Sequence, residues 1–110
     1  MKTILIADDD SAISALLSYT FESGGFKVSL VSDGLEALSL ASKQSFDLIL
    51  LDMMMPGLSG LAVTEQLRQN GNYTPIIILT ARDDDDLKIT GINAGVDDYL
   101  DKTKIGRASC

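Results

Sequence analysis

The chain has no histidine, so neither a Ser-His-Asp triad nor a histidine-built zinc site can be assembled from it. Its single cysteine is Cys110, the last residue, which excludes an internal disulfide and a cysteine cluster for metal. Basic residues are scarce: 9 Lys and Arg stand against 16 Asp and Glu, a net charge of −7. Phosphate backbones are gripped by clustered Lys and Arg, so nucleic acid is not an expected direct partner. Long apolar runs are also missing. The first, Ile4-Leu5-Ile6-Ala7, is too short for a signal-peptide core, and none approaches a membrane span. The expected location is the cytoplasm.

What remains suits one globular domain: 110 residues, 45% hydrophobic and 23% charged. Thirteen of the sixteen acids are Asp. Asp favours caps and turns over helix interiors, so the acids should gather at element ends.

Four apolar runs each stop on a polar residue able to do chemistry. Ile4-Leu5-Ile6-Ala7 stops on Asp8-Asp9, and Leu48-Ile49-Leu50-Leu51 on Asp52. Ile76-Ile77-Ile78-Leu79 stops on Thr80, and Tyr99-Leu100 runs through Asp101 to Lys102. Continuous Ile/Leu runs without alternation read as strands buried on both faces. Strands are expected at 3–8, 26–31, 47–51, 76–79 and 97–101. Helices are expected between them at 11–23, 34–44, 58–69 and 83–95. The first has Asp10 or Ser11 as its cap and Ile13, Leu16, Leu17 and Phe21 on one face. The second carries Leu35, Leu38 and Ala41. Strict strand-helix alternation argues for a parallel, doubly wound α/β sheet, which binds ligands at the carboxyl ends of its strands.

That edge would bring Asp8, Asp9 and Asp52 within a few ångströms of one another. Three like charges repel unless cations intervene. Lys102 supplies one. A hard divalent ion suits an oxygen-only donor set, and Mg²⁺ takes one or two carboxylates, keeps waters and completes its shell from a phosphate. A carboxylate beside such an ion can attack a phosphoryl group. Thr80 and Lys102 could then bind the transferring oxygens. Simple capping explains Asp10, but not Asp52 and Lys102 at the same edge.

These motifs resemble the receiver domain of bacterial two-component response regulators, the CheY-like family. The resemblance runs over residues 2–102 and rests on Ile4-Leu5-Ile6-Ala7-Asp8-Asp9-Asp10, Asp47-Leu48-Ile49-Leu50-Leu51-Asp52-Met53-Met54-Met55-Pro56-Gly57, Ile78-Leu79-Thr80-Ala81 and Ala94-Gly95-Val96-Asp97-Asp98-Tyr99-Leu100-Asp101-Lys102. It implies a flavodoxin-like five-stranded sheet of order 2-1-3-4-5. It also implies a phosphorylation-activated switch with Asp52 as phosphoacceptor, a histidine kinase as donor and a separate output partner. Asp9, Asp52 and the Met54 carbonyl match direct Mg²⁺ ligands, and Asp8 a ligand acting mainly through water. Thr80 and Lys102 match the phosphoryl-oxygen ligands, and Thr80 and Tyr99 the switch pair. Ala81 matches a small residue that leaves room for phosphate. No enzyme activity beyond self-phosphorylation and autodephosphorylation is implied. Autodephosphorylation should be slow, since Met54 and Arg82 offer no carboxylate to the attacking water.

Two other readings fit less of the sequence. An adaptor or vestigial receiver would not need the full set Asp8, Asp9, Asp52, Thr80 and Lys102. An aspartyl-nucleophile phosphohydrolase would want a second Asp two residues after Asp52, where Met54 stands. The Asp83–Asp86 run lacks the alternation of an EF-hand and reads as a helix N-terminus. Met53-Met54-Met55 reads as loop and core filler. The segment 83–95, weakened by Thr90, Gly91 and Asn93, is the element expected to reorganise on switching.

The domain is expected to span 1–102, followed by a short polar tail, 103–110. The family normally follows its Lys with Pro and a fifth helix; here Thr103 follows and the tail is too short and polar for one. The expectation is a trans peptide before Thr103, a chain truncated before its last helix, and a bare sheet face that drives self-association.

Overall fold

The computed structural model describes residues 1–80 and 94–102. Five strands and three helices are seen: β1 (Thr3–Ala7), α1 (Ser11–Ser23), β2 (Lys27–Val31), α2 (Gly34–Lys43), β3 (Leu48–Asp52), α3 (Gly60–Gln69), β4 (Ile76–Thr80) and β5 (Asp98–Asp101). All pairings are parallel, in the order β2-β1-β3-β4-β5. This is the flavodoxin-like order expected above. The helix expected at 83–95 lies almost wholly outside the described residues. So do the Lys102–Thr103 peptide and the tail 103–110.

The sheet separates two apolar layers, and strand alternation assigns residues to them. Leu5, Ala7, Ile49, Leu51, Ile76 and Ile78 face α2 and α3. Ile4, Ile6, Leu50 and Leu79 face α1, where Leu17, Ile13 and Phe21 pack on them. Burying a Leu or Ile side chain contributes about 1.5–3 kcal/mol, so these central strands carry most of the fold's stability. On the α1 side, Ile4, Ile6, Leu50 and Leu79 are fully buried, Leu48 and Ile77 are half-buried and Leu100 is exposed.

Each helix begins on a side-chain cap. Asp10 accepts hydrogen bonds from the Ala12 and Ile13 amides, Asp33 from Glu36, and Ser59 from Ala62. A helix is short of partners for its first amides, and these side chains supply them.

Two expectations about the core need correction. Leu35 was expected on the buried face of α2, but it is 60% exposed, and Ala37 takes the inward place. The buried stripe runs through Gly34, Ala37, Leu38 and Ala41, at helical spacing, because Gly34 packs directly on the Leu58 backbone and sets the helix rotation. Phe26, Val28 and Leu30 alternate with Lys27 and Ser29 in the sequence, which predicts Leu30 on the inward side of β2. Leu30 is 48% exposed, because β2 is an edge strand covered only in part.

Arg68, in the last turn of α3, ties three elements together. Its Nε donates to the Gly95 carbonyl at 3.1 Å, and its Nη1 to the Asn72 and Thr74 carbonyls at 3.0 and 2.8 Å. Its Nη2 pairs with Asp97 at 2.9 Å, and the same carboxylate accepts from the Ile76 amide at 2.8 Å. The start of β4 and the approach to β5 are thereby fixed to α3. Replacing Arg68 by Met should lower stability by about 2–4 kcal/mol, because three carbonyls and a carboxylate lose a largely buried donor. Urea unfolding of the variant measures this directly, and a loss within error of zero would show that water replaces the guanidinium.

Candidate functional site: an acidic crevice at the carboxyl edge of the sheet

The parallel register brings the strand ends together. Ala7 pairs with Leu51 and Asp52 with Leu79, so Asp8 and Asp52 leave neighbouring strands side by side. Thr80 pairs with Asp101, which places Lys102 at the same edge. Counting in twos along each strand, Asp8, Asp52 and Lys102 continue the α1-facing rank, whereas Thr80 and Tyr99 continue the rank facing α2 and α3.

The expected residues converge. Asp8, Asp52 and Thr80 are buried, Lys102 is half-buried, and Asp9 is exposed at the mouth. One carboxylate oxygen from each of Asp8, Asp9 and Asp52 lies within 4.8 Å of the others. Lys102 Nζ stands 3.0 Å from Asp8 Oδ2 and 3.4 Å from Asp52 Oδ2, and donates to Asp8 Oδ1 at 3.3 Å. Met54 lies beyond the end of β3, strongly exposed. Tyr99 is half-buried on β5 and packs against the α2/α3 core. Ala81 and Arg82 lie outside the described residues.

The chain holds Asp8 in place by local contacts. Its Oδ1 accepts the Asp10 amide at 2.8 Å, and its carbonyl accepts the Ser14 hydroxyl at 3.2 Å. Ser14 did not emerge from the sequence as a site residue. The available signal is its position beside Ile13 and Leu17, where a buried hydroxyl must find an acceptor.

The electrostatics follow from burial. Taking Asp52 out of water, with the Asp8 charge beside it, pushes its carboxyl up to about 6 from 3.8; Lys102 opposes this only in part. Burial pulls Lys102 downward, but its hydrogen bond to Asp8 and the charges of Asp52 and Asp8 outweigh that and leave it raised. Asp8, Asp9 and Asp52 together therefore carry more negative charge than the Lys102 ammonium neutralises.

A magnesium ion suits this imbalance. The donors are all oxygens, as a hard cation requires. Asp8 Oδ2 is fully buried and accepts no amide or hydroxyl hydrogen bond; its partner is the Lys102 ammonium at 3.0 Å. Asp9 and Asp52 have oxygens close enough to share one ion with Asp8.

A doubly wound sheet with acids and an ammonium at its carboxyl edge defines a class of α/β switch and binding domains. Comparison with known proteins narrows it. Residues 4–107 match the response regulator receiver domain family, and the chain belongs to that family. It is 46% identical over 101 residues to the alkaline phosphatase synthesis transcriptional regulatory protein PhoP of Bacillus subtilis, covering 92% of this chain and 42% of that protein. The chain thus spans less than half the length of such relatives. Among solved structures, the Francisella response regulator 1452 receiver domain superposes with a TM-score of 0.89 at 40% identity, covering 94% of this chain and 85% of that one. The Thermotoga maritima response regulator TrrA, solved in complex with Mg(2+)-BeF, gives 0.83 at 33% identity, covering 92% and 86%. Receiver domains of this family act as phosphoacceptors in two-component signalling rather than as conventional enzymes, and they work with histidine kinases and output domains. Among the described residues, no helix is long and apolar enough to cross a membrane.

Proposed function

We propose that this chain is a phosphorylation-activated signalling switch in which Asp52 accepts a phosphoryl group from a sensor histidine kinase, in a Mg²⁺-dependent reaction. The observation that carries the reading is the placement of buried Asp52 between Asp8 and Lys102, with Asp9 in reach. An Asp52 oxygen forms a bond to phosphorus while the phosphorus–nitrogen bond to the kinase histidine breaks and its electron pair leaves with the imidazole. Lys102 and the Thr80 hydroxyl bind phosphoryl oxygens. Asp9, Asp52 and the Met54 carbonyl would hold the ion directly, and Asp8 would act on it mainly through water. Bound there, Mg²⁺ supplies positive charge against the carboxylates and the phosphoryl oxygens. Thr80 and Tyr99 form the switch pair on the α2/α3 side of the sheet, outside the rank of the acids.

The receiver unit takes in residues 1–102. The partners this reading calls for are the kinase, a separate output partner, and a second copy of the chain through the α1 side of the sheet. The working compartment is the cytoplasm. Loss of phosphate should be slow, because Met54 offers water no strong acceptor.

Incubation with a small phosphodonor such as acetyl phosphate tests the reading. Intact-mass measurement should find an acid-labile phosphate in Mg²⁺ and none in excess EDTA, and fragment mapping should place it on Asp52. Phosphate on a hydroxyl instead, or uptake indifferent to EDTA, would overturn it.

A further inference from the structure

Three methionines follow Asp52, and the fold treats them differently. Met53 is 7% exposed, Met55 is half-buried against the α2/α3 core, and Met54 is 76% exposed. The loop is pinned on both sides of Met54. The Met53 amide donates to the Leu79 carbonyl at 2.9 Å, and the Met53 carbonyl accepts the Gly60 amide at 3.1 Å. The Pro56 carbonyl accepts the Gly34 amide at 3.1 Å. Met54 thus stays outside while its neighbours are held in. Met1, also exposed, precedes β1 and so lies at the opposite end of the sheet.

We propose that Met54 is a redox modification site: its oxidation to the sulfoxide by a hydroperoxide shortens the life of the phosphate on Asp52. The inference rests on the phosphoacceptor reading above. The sulfur lone pair attacks the outer oxygen of the peroxide. The sulfur–oxygen bond forms as the oxygen–oxygen bond breaks, sulfur loses two electrons, and the peroxide leaves reduced as water or an alcohol. Sulfoxide reductases reverse the change. A thioether is a weak acceptor, whereas a sulfoxide oxygen is strongly polar. Two residues from Asp52, that oxygen gives the water attacking phosphorus a strong acceptor where the thioether is a weak one. It orients water without removing a proton outright, so the gain should be roughly 3- to 10-fold, short of the ~10²-fold at which full general-base catalysis begins.

The experiment has two readouts on the whole chain. The reduced protein is first shown to take up acid-labile phosphate from acetyl phosphate and Mg²⁺; failure here overturns the phosphoacceptor reading and this inference with it, before any oxidant is added. Hydrogen peroxide is then titrated, with sulfoxides located by peptide mapping and the phosphate half-life measured at each dose. The expected result is sulfoxide at Met54 well before Met55 or Met53, with a half-life that falls in step with it. A sulfoxide reductase should restore the half-life, and Met54→Leu should no longer respond to peroxide. Earlier oxidation of Met55, an unchanged half-life with Met54 fully oxidised, or a persisting response in Met54→Leu would each overturn the proposal.

Discussion

Asp52→Asn is expected to do two opposite things: abolish phosphate uptake and stabilise the metal-free protein. The first follows from chemistry, since an amide is a poor nucleophile toward phosphorus. The second follows from the crevice. Asp52 is buried beside Asp8, and its carboxyl sits at about 6 rather than 3.8. A group that holds its proton more tightly when folded favours the folded state at low pH and opposes it once ionised. The penalty is therefore fully present above about pH 6 and disappears as pH falls from there toward 3.8. A gap of about two units corresponds to roughly 3 kcal/mol. In EDTA at pH 8 the Asn variant should unfold at higher urea than the parent, by roughly 2–3 kcal/mol, and the two curves should converge near pH 4. Saturating Mg²⁺ should reverse the order, because the ion stabilises the parent by binding its carboxylates in the folded state only. A variant less stable than the parent in EDTA at pH 8 would mean that Asp52 is held by attraction to Lys102 and not strained by Asp8.

Gly34→Ala should be the most damaging single methyl group in the described fold. A Cβ there would overlap the Leu58 carbonyl oxygen and fall 2.7 Å from its carbon. Both are backbone atoms, which cannot rotate away as a side chain would. Gly34 is also the donor that ties α2 to the Pro56 carbonyl. The loop between β3 and α3 must move, or α2 must lift from the sheet with Ala37 and Ala41. Overpacking of this kind costs about 1–3 kcal/mol in a compliant core; against fixed backbone a loss beyond about 4 kcal/mol is expected. Gly25→Ala provides the contrast, since nothing lies within 4 Å of its Cβ position and only its positive φ opposes the change. Thermal unfolding of the two variants checks the ranking, and a Gly34→Ala protein as stable as its parent would show that the α2–loop packing yields.

The central strands β1, β3 and β4 were legible because they are covered on both faces. Runs such as Ile4-Leu5-Ile6-Ala7 leave few other interpretations, and their polar ends then converge by register alone. The carboxylates and Lys102 could therefore be placed at one edge from the sequence. What escaped depends on contacts between distant parts of the chain. Leu35 looks like a core residue by spacing; only the approach of Gly34 to Leu58 turns it outward. Arg68 and Asp97 are 29 residues apart, and no local pattern announces that one arginine will serve three carbonyls. The raised carboxyl of Asp52 is likewise a property of depth, since Asp9, one residue from Asp8 in the chain, stays at the surface. The graded exposure of Met53, Met54 and Met55 could not be read from three identical letters.

Lys102 follows β5, an edge strand, whereas Asp8 and Asp52 end β1 and β3, which pair directly near the middle of the sheet. A sheet that assembles outward from its centre thus acquires both anions before their counter-charge. In that order of assembly the half-built edge would attract the strand that carries the ammonium, since Lys102 Nζ ends 3.0 Å from Asp8 and 3.4 Å from Asp52. Salt screens such an attraction over about 8–10 Å at ordinary ionic strength. A divalent ion that reaches the crevice first competes with Lys102 for the same oxygens. The charges that would serve signalling in the finished domain thus also set how firmly its last strand is drawn home.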